Sequence, residues 1–159
     1  MGNEIERKFL VDDASVLDGL TGLPYRQGYL LNEASRTVRI RRAGDRGFLT
    51  IKGATSGATR PEFEYEIPAA DADQLLAMCG NLVIEKVRYR IPIADVVFEI
   101  DRFEGANEGL LIAEVELASE EAAFPRPDWL GQEVTDDPRY LNARLSVEPY
   151  GLWGGGGRG

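Results

Sequence analysis

An antiparallel, mostly β fold with helices set around it is predicted by three features of this sequence. Eight stretches within the first 117 residues alternate apolar and polar side chains with the period of a strand. Turn-forming residues punctuate them: GDRG at Gly44–Gly47, the small-residue loop GATSGATRP, Pro68, and EGANEG before Leu110. Apart from the first, each charged row is also of one sign, which an open sheet seldom shows because like neighbours repel. An antiparallel barrel or a sandwich satisfies the first two features, and the third bears on the choice between them.

The first strand spans Asn3–Asp12. Ile5, Phe9 and Val11 share one side of it, while Glu4, Glu6 and Lys8, followed by Leu10, share the other. Ala14–Leu20 has room for one or two helical turns. Strands follow at Tyr25–Asn32, Thr37–Arg42, Phe48–Lys52 and Glu62–Ile67, the last ended by Pro68. Asp71–Cys79 (DADQLLAMC) has the spacing of an amphipathic helix. Leu82–Ile91 and Val96–Phe103 form an antiparallel pair across IPIAD, and Leu110–Leu117 is the eighth strand. Beyond it the character changes: SEEAAF and DDPRYLNARLSV read as helical, with Pro125, Pro127 and Pro138 as breaks. A single domain over residues 1–150 accounts for all of this, with residues 151–159 as a Gly-rich, disordered tail. Trp129 and Trp153 either pack on the barrel or form the contact of a homodimer.

Composition narrows the chemistry. A chain of 159 residues with 43% hydrophobic and 28% charged residues can bury a core as one globular unit. No run approaches a membrane span, and the start of the chain carries no secretory signal, so no membrane is expected. The lone Cys79 excludes an internal disulfide and fits the cytoplasm. A net charge of −9 argues against a nucleic-acid surface, so any bound anion must meet a local cluster of cations or a metal. There is no histidine. That removes Ser-His-Asp and Cys-His catalysis, histidine zinc sites and an imidazole base. Oxygen ligands remain, and these suit Mg²⁺ or Mn²⁺.

The rows are then decisive. Arg39 and Arg41 share a face, as do Lys86, Arg88 and Arg90; Glu62, Glu64 and Glu66 form a row, Glu99 pairs with Asp101, and Glu114 with Glu116. Neighbours in a row lie about 7 Å apart and repel by about 2 kcal/mol at an effective dielectric near 20. A solvated face also alternates, but opposed rows turned into a closed barrel relieve this repulsion, and a polyanion with a divalent cation relieves it further. Arginines and lysines in that number suit several phosphoryl groups. No P-loop sequence is present to do the work by backbone.

EIERK at Glu4–Lys8 matches an ExExK signature, and the match continues in order. It runs through QGYL (Gln27–Leu30), VRIR (Val38–Arg41), LTIKG (Leu49–Gly53), RPEFEYEI (Arg60–Ile67), EKVRY (Glu85–Tyr89), FEIDRF (Phe98–Phe103), AEVEL (Ala113–Leu117) and WLGQEVT (Trp129–Thr135). On these residues the chain resembles the CYTH superfamily, the triphosphate tunnel metalloenzymes, and within it the short bacterial inorganic triphosphatase branch. The resemblance implies an eight-stranded antiparallel closed barrel with peripheral helices. It implies that Glu4, Glu6, Glu114 and Glu116 hold Mg²⁺ or Mn²⁺, and that Lys8, Arg39, Arg41, Lys52, Lys86 and Arg88 clasp the triphosphate. Glu62, Glu64 and Asp101 match charged tunnel positions, either holding a second metal or keeping the cations in place.

The expected reaction is hydrolysis of a small-molecule triphosphate, tripolyphosphate, to pyrophosphate and orthophosphate. For the general base the resemblance suggests Lys8 hydrogen-bonded to Tyr29, with neighbouring guanidinium groups lowering its pKa. The alternative leaves Lys8 as a phosphate ligand and gives the proton to a carboxylate or a metal hydroxide. Thiamine triphosphatase and adenylyl cyclase are the rival activities, and a non-catalytic polyphosphate- or nucleotide-sensing module is the rival class.

Overall fold

In the computed structural model the described residues are 2–54, 56, 59–80 and 83–153, and of residues 2–4 only the backbone is described. Nine strands occur among them: β1 (Gly2–Val11), β2 (Leu23–Glu33), β3 (Arg36–Ala43), β4 (Arg46–Gly53), β5 (Thr59–Ile67), β6 (Ile84–Ile93), β7 (Val96–Phe103), β8 (Leu111–Glu116) and β9 (Leu130–Glu133). The sheet order is β5-β4-β3-β2-β6-β7-β8-β1-β9, and β1 also pairs with β5. The first eight strands therefore close an antiparallel ring, as expected. The seam is short: Gly2–Ile5 meet Thr59–Glu62, and residues 63–67 of β5 run past it, so the ring is not an even barrel. Among the described residues no helix is long and apolar enough to cross a membrane.

Two glycines show why these segments fold as they do. Gly44 takes φ 56 in the turn between β3 and β4, a conformation that costs glycine nothing. Gly28 faces the end of helix α1 (Ala69–Ala77); a Cβ there would stand 2.8 Å from Cys79 Sγ. Helix α1 closes over β3 and β4 through Ala72 and Leu76, which pack on Ile40.

The outer face of β1, β7 and β8 buries Phe9, Phe98 and Val115. Each such side chain contributes about 1.5–3 kcal/mol. Residues 119–124, expected as a helix, instead form a turn and an irregular run. With Pro125 and Pro127 just beyond, too few residues remain to nucleate a helix, and burial wins. Ala122 and Phe124 cover that outer face, Phe124 lying edge-on to Phe9 at 5.8 Å. Strand β9, read from the sequence only as a motif, adds to β1 outside the ring. Its four residues are too few for alternation to register. The expected terminal helix is reduced to a 3₁₀ turn at Pro138–Tyr140 and a single α turn, α2 (Asn142–Leu145).

The interior has two ends. Inward side chains at one end are charged. At the other, Leu10, Ile84, Phe103 and Ile112 continue the same rows as apolar residues and pack with Tyr140 and Leu145 from the C-terminal segment. Trp129 stacks edge-on to Phe98, and Trp153 to Tyr140 and Tyr150, so both pack on the barrel. Of the tail expected over residues 151–159, Leu152 and Trp153 belong to the fold, and residues 154–159 lie outside the described residues.

Candidate active site

Ladder register sets the charged end. Lys8 lies opposite Glu114, and Glu6 opposite Glu116, across β1 and β8. Arg39 stands beside Thr50, and Thr50 beside Glu64, across β3, β4 and β5. Arg88 lies opposite Asp101, and Glu99 opposite Glu114. These pairs put ten of the fourteen sequence-predicted residues around one chamber of about 700 Å³: Glu6, Lys8, Arg39, Arg41, Lys52, Glu62, Glu64, Arg88, Glu114 and Glu116 line it. The side chain of Glu4 lies outside the described residues, though its backbone sits in β1 opposite Arg60. Tyr29 is buried beside a smaller side chamber that it shares with Lys8.

One wall is an ionic knot. The Arg88 guanidinium donates to both Asp101 oxygens, at 2.7 and 2.8 Å, and Lys86 Nζ donates to Asp101 Oδ2 at 2.7 Å. Lys8 Nζ donates to Glu114 Oε2 at 2.9 Å. Burial alone would raise both acids; Arg88 and Lys86 hold Asp101 below its ordinary range, and Lys8 and Arg88 hold Glu114 well below it. Lys86 is fully buried and lies beneath the lining, where desolvation outweighs Asp101 and pushes its ammonium down to about 7.

The opposite wall is short of counter-charge. Arg39 donates to Thr50 Oγ1 at 3.3 Å, and Arg41 to Gln27 Oε1 at 3.0 Å. Desolvation and then the neighbouring Arg39 and Arg88 push Arg41 down to about 10. The Tyr25 ring lies under Arg41 at 4.8 Å, Arg88 at 5.0 Å and Lys86 at 5.8 Å, so its electron-rich face supplies part of the missing negative charge. A polyanion would supply the rest.

The carboxylates have the converse problem. Glu116 is pushed above its ordinary value, first by desolvation and then by Glu6, Glu62 and Glu99. Oxygen donors that crowd one another in this way fit a hard divalent cation. Among the described residues no three of them form a ready-made cage, so a cation would gather them.

Comparison with known proteins places this geometry. A family model, the CYTH domain, matches residues 2–144. The chain belongs to the CYTH family. An inorganic triphosphatase of Acetivibrio thermocellus is 48% identical over 151 residues, covering 94% of this chain and 97% of that protein. One from Nitrosomonas europaea is 41% identical over 149 residues, covering 91% and 97%. A crystal structure of an inorganic triphosphatase superposes with a TM-score of 0.66 at 39% identity, over 92% of this chain and 96% of that one. A Hippeastrum protein with a dominant triphosphatase activity shares the fold at 15% identity and a TM-score of 0.58, over 74% of this chain and 81% of that one.

This CYTH chain also carries site residues that the sequence reading left out. Tyr25 and Gln27 sit two and four residues before Tyr29, on the inward face of β2, and the alternation there was signal enough. Arg90 continues the row of Lys86 and Arg88 to the chamber mouth. Asn142 of α2 accepts from Gln27 Nε2 at 3.2 Å and from Lys86 Nζ at 3.2 Å. No pattern in the sequence announces Asn142, because it arrives from a separate segment.

Proposed function

We propose that this protein hydrolyses inorganic triphosphate to pyrophosphate and orthophosphate with Mg²⁺ or Mn²⁺. The observation that carries the reading is the chamber itself: an under-neutralised guanidinium wall faces crowded carboxylates in one space, in a chain 48% identical to an inorganic triphosphatase. Arg39, Arg41, Lys52 and Arg88 hold phosphoryl oxygens, the guanidinium groups in pairs of bonds and Lys52 as a point charge. Lys86 supports Arg88 from below through their common partner Asp101. Glu6 and Glu116, with Glu4 and Glu114, hold the divalent cation, which when bound draws charge from the phosphoryl group under attack. Lys8 and Tyr29 stand together at the side chamber, where Lys8 as the free amine takes the proton of the attacking water, becoming the ammonium, and Tyr29 orients that water. The fixed charges are preorganised for a transition state whose charge spreads over equatorial oxygens.

With one thiol, half-buried and pushed above its ordinary pKa by desolvation, Cys79 fits a reducing cytoplasm. The test is phosphate release from tripolyphosphate, thiamine triphosphate and ATP, with and without Mg²⁺, alongside an assay for cyclic AMP. Tripolyphosphate should turn over fastest and only with the metal. Tight metal-independent binding of polyphosphate without turnover would overturn the proposal in favour of a sensing module.

A further inference from the structure

Two buried side-chain nitrogens among the described residues lack a hydrogen-bond partner: Nε of Arg39 and Nε of Arg60. Both arginines line the same side chamber, a space of about 30 Å³ that also touches Lys8 and Lys52. Arg60 borders this chamber and not the large one, whereas Lys8, Arg39 and Lys52 border both. It stands two residues before Glu62 on β5, hence on the inward face, beside the seam where β5 meets β1. Leu141, Asn142 and Ala143 back the chamber from the C-terminal segment.

A buried donor without an acceptor is costly, and both of these belong to arginines that line one space, where an oxygen would relieve them. The volume is on the order of one or two waters, room for oxygens and not for a whole phosphate. A phosphoryl group seated among Lys8, Arg39 and Lys52 would reach into it. A bridging phosphoryl group offers two free oxygens and continues the chain in both directions; a terminal one offers three and ends there. A backed chamber of this size accepts the second kind.

Resting on the triphosphatase reading, we propose that Arg60 is a substrate-binding residue that, with Arg39 Nε, receives the oxygens of an unsubstituted terminal phosphoryl group. The test is calorimetric binding in EDTA, so that metal-dependent turnover does not intrude, of linear tripolyphosphate and of cyclic trimetaphosphate, which has no terminal group. Arg60→Gln should weaken the linear ligand about tenfold and move the cyclic one less than twofold, because one charge-assisted donor is lost only to a chain end. Wild-type affinity for the linear ligand, or equal weakening of both, overturns the proposal. Arg60→Lys keeps the charge without the Nε donor and should show the same split, which serves if the glutamine variant does not fold. A wild-type chain that neither binds nor hydrolyses tripolyphosphate would remove the underlying reading instead.

Discussion

The two walls of the charged chamber are built from similar residues and behave differently. On the β6–β7–β8 wall Arg88 and Lys86 both grip Asp101. On the β3–β4–β5 wall Arg39 and Arg41 lean on a hydroxyl and an amide, with Glu64 no nearer than 3.7 Å to Arg39. The difference separates two uses of charge. A paired cation within a protein is spent on its partner, and removing that partner strands it. A cation left short of counter-charge keeps its capacity for a ligand. Binding therefore belongs mainly to the second wall, and rigidity to the first.

The sharpest way to break this comparison is Asp101→Asn, which leaves Lys86 and Arg88 buried without their common anion. It should cost about 3–5 kcal/mol of folding free energy, read by urea denaturation. A loss below about 1 kcal/mol would mean that the knot is not structural. Arg41→Ala tests the other wall: kcat/KM should fall by about 10²-fold, while the melting temperature holds or rises because its guanidinium neighbours are relieved. A fall in stability with little loss of activity would reverse the assignment of the walls. Tyr29→Phe removes one hydroxyl from the side chamber and should lower kcat by about tenfold with KM nearly unchanged. Unchanged kcat would reduce Tyr29 to packing.

The smallest effect is on pH dependence. Glu114 is held well below its ordinary value of 4.5, so the unfolded chain binds the proton first as the solution is acidified. Its contribution to stability is complete above about pH 4.5 and is lost as pH falls toward the folded value. Melting curves from pH 7 to 3 should fall less steeply for Glu114→Gln than for the wild type. Parallel curves would show that the carboxylate is not specially held.

How much was legible follows from these particulars. The period of two put Glu6 and Lys8, Arg39 and Arg41, and Glu114 and Glu116 on single faces, and the structure turns all of those faces inward. The eight ring strands were readable for the same reason. Strand β9 and the turn and irregular run at residues 119–124 were not, since short segments take their conformation from the surface they cover.

By itself the chain order determined which residue types share a face and which family they belong to, because alternation and motif spacing are local properties. Only the tertiary structure decided which charges are neutralised. Arg88 meets Asp101 through strand register, Arg41 is left to Gln27, and Asn142 comes from a separate turn to bind Lys86. Neutralisation depends on distances across the ring, and ring closure sets those distances.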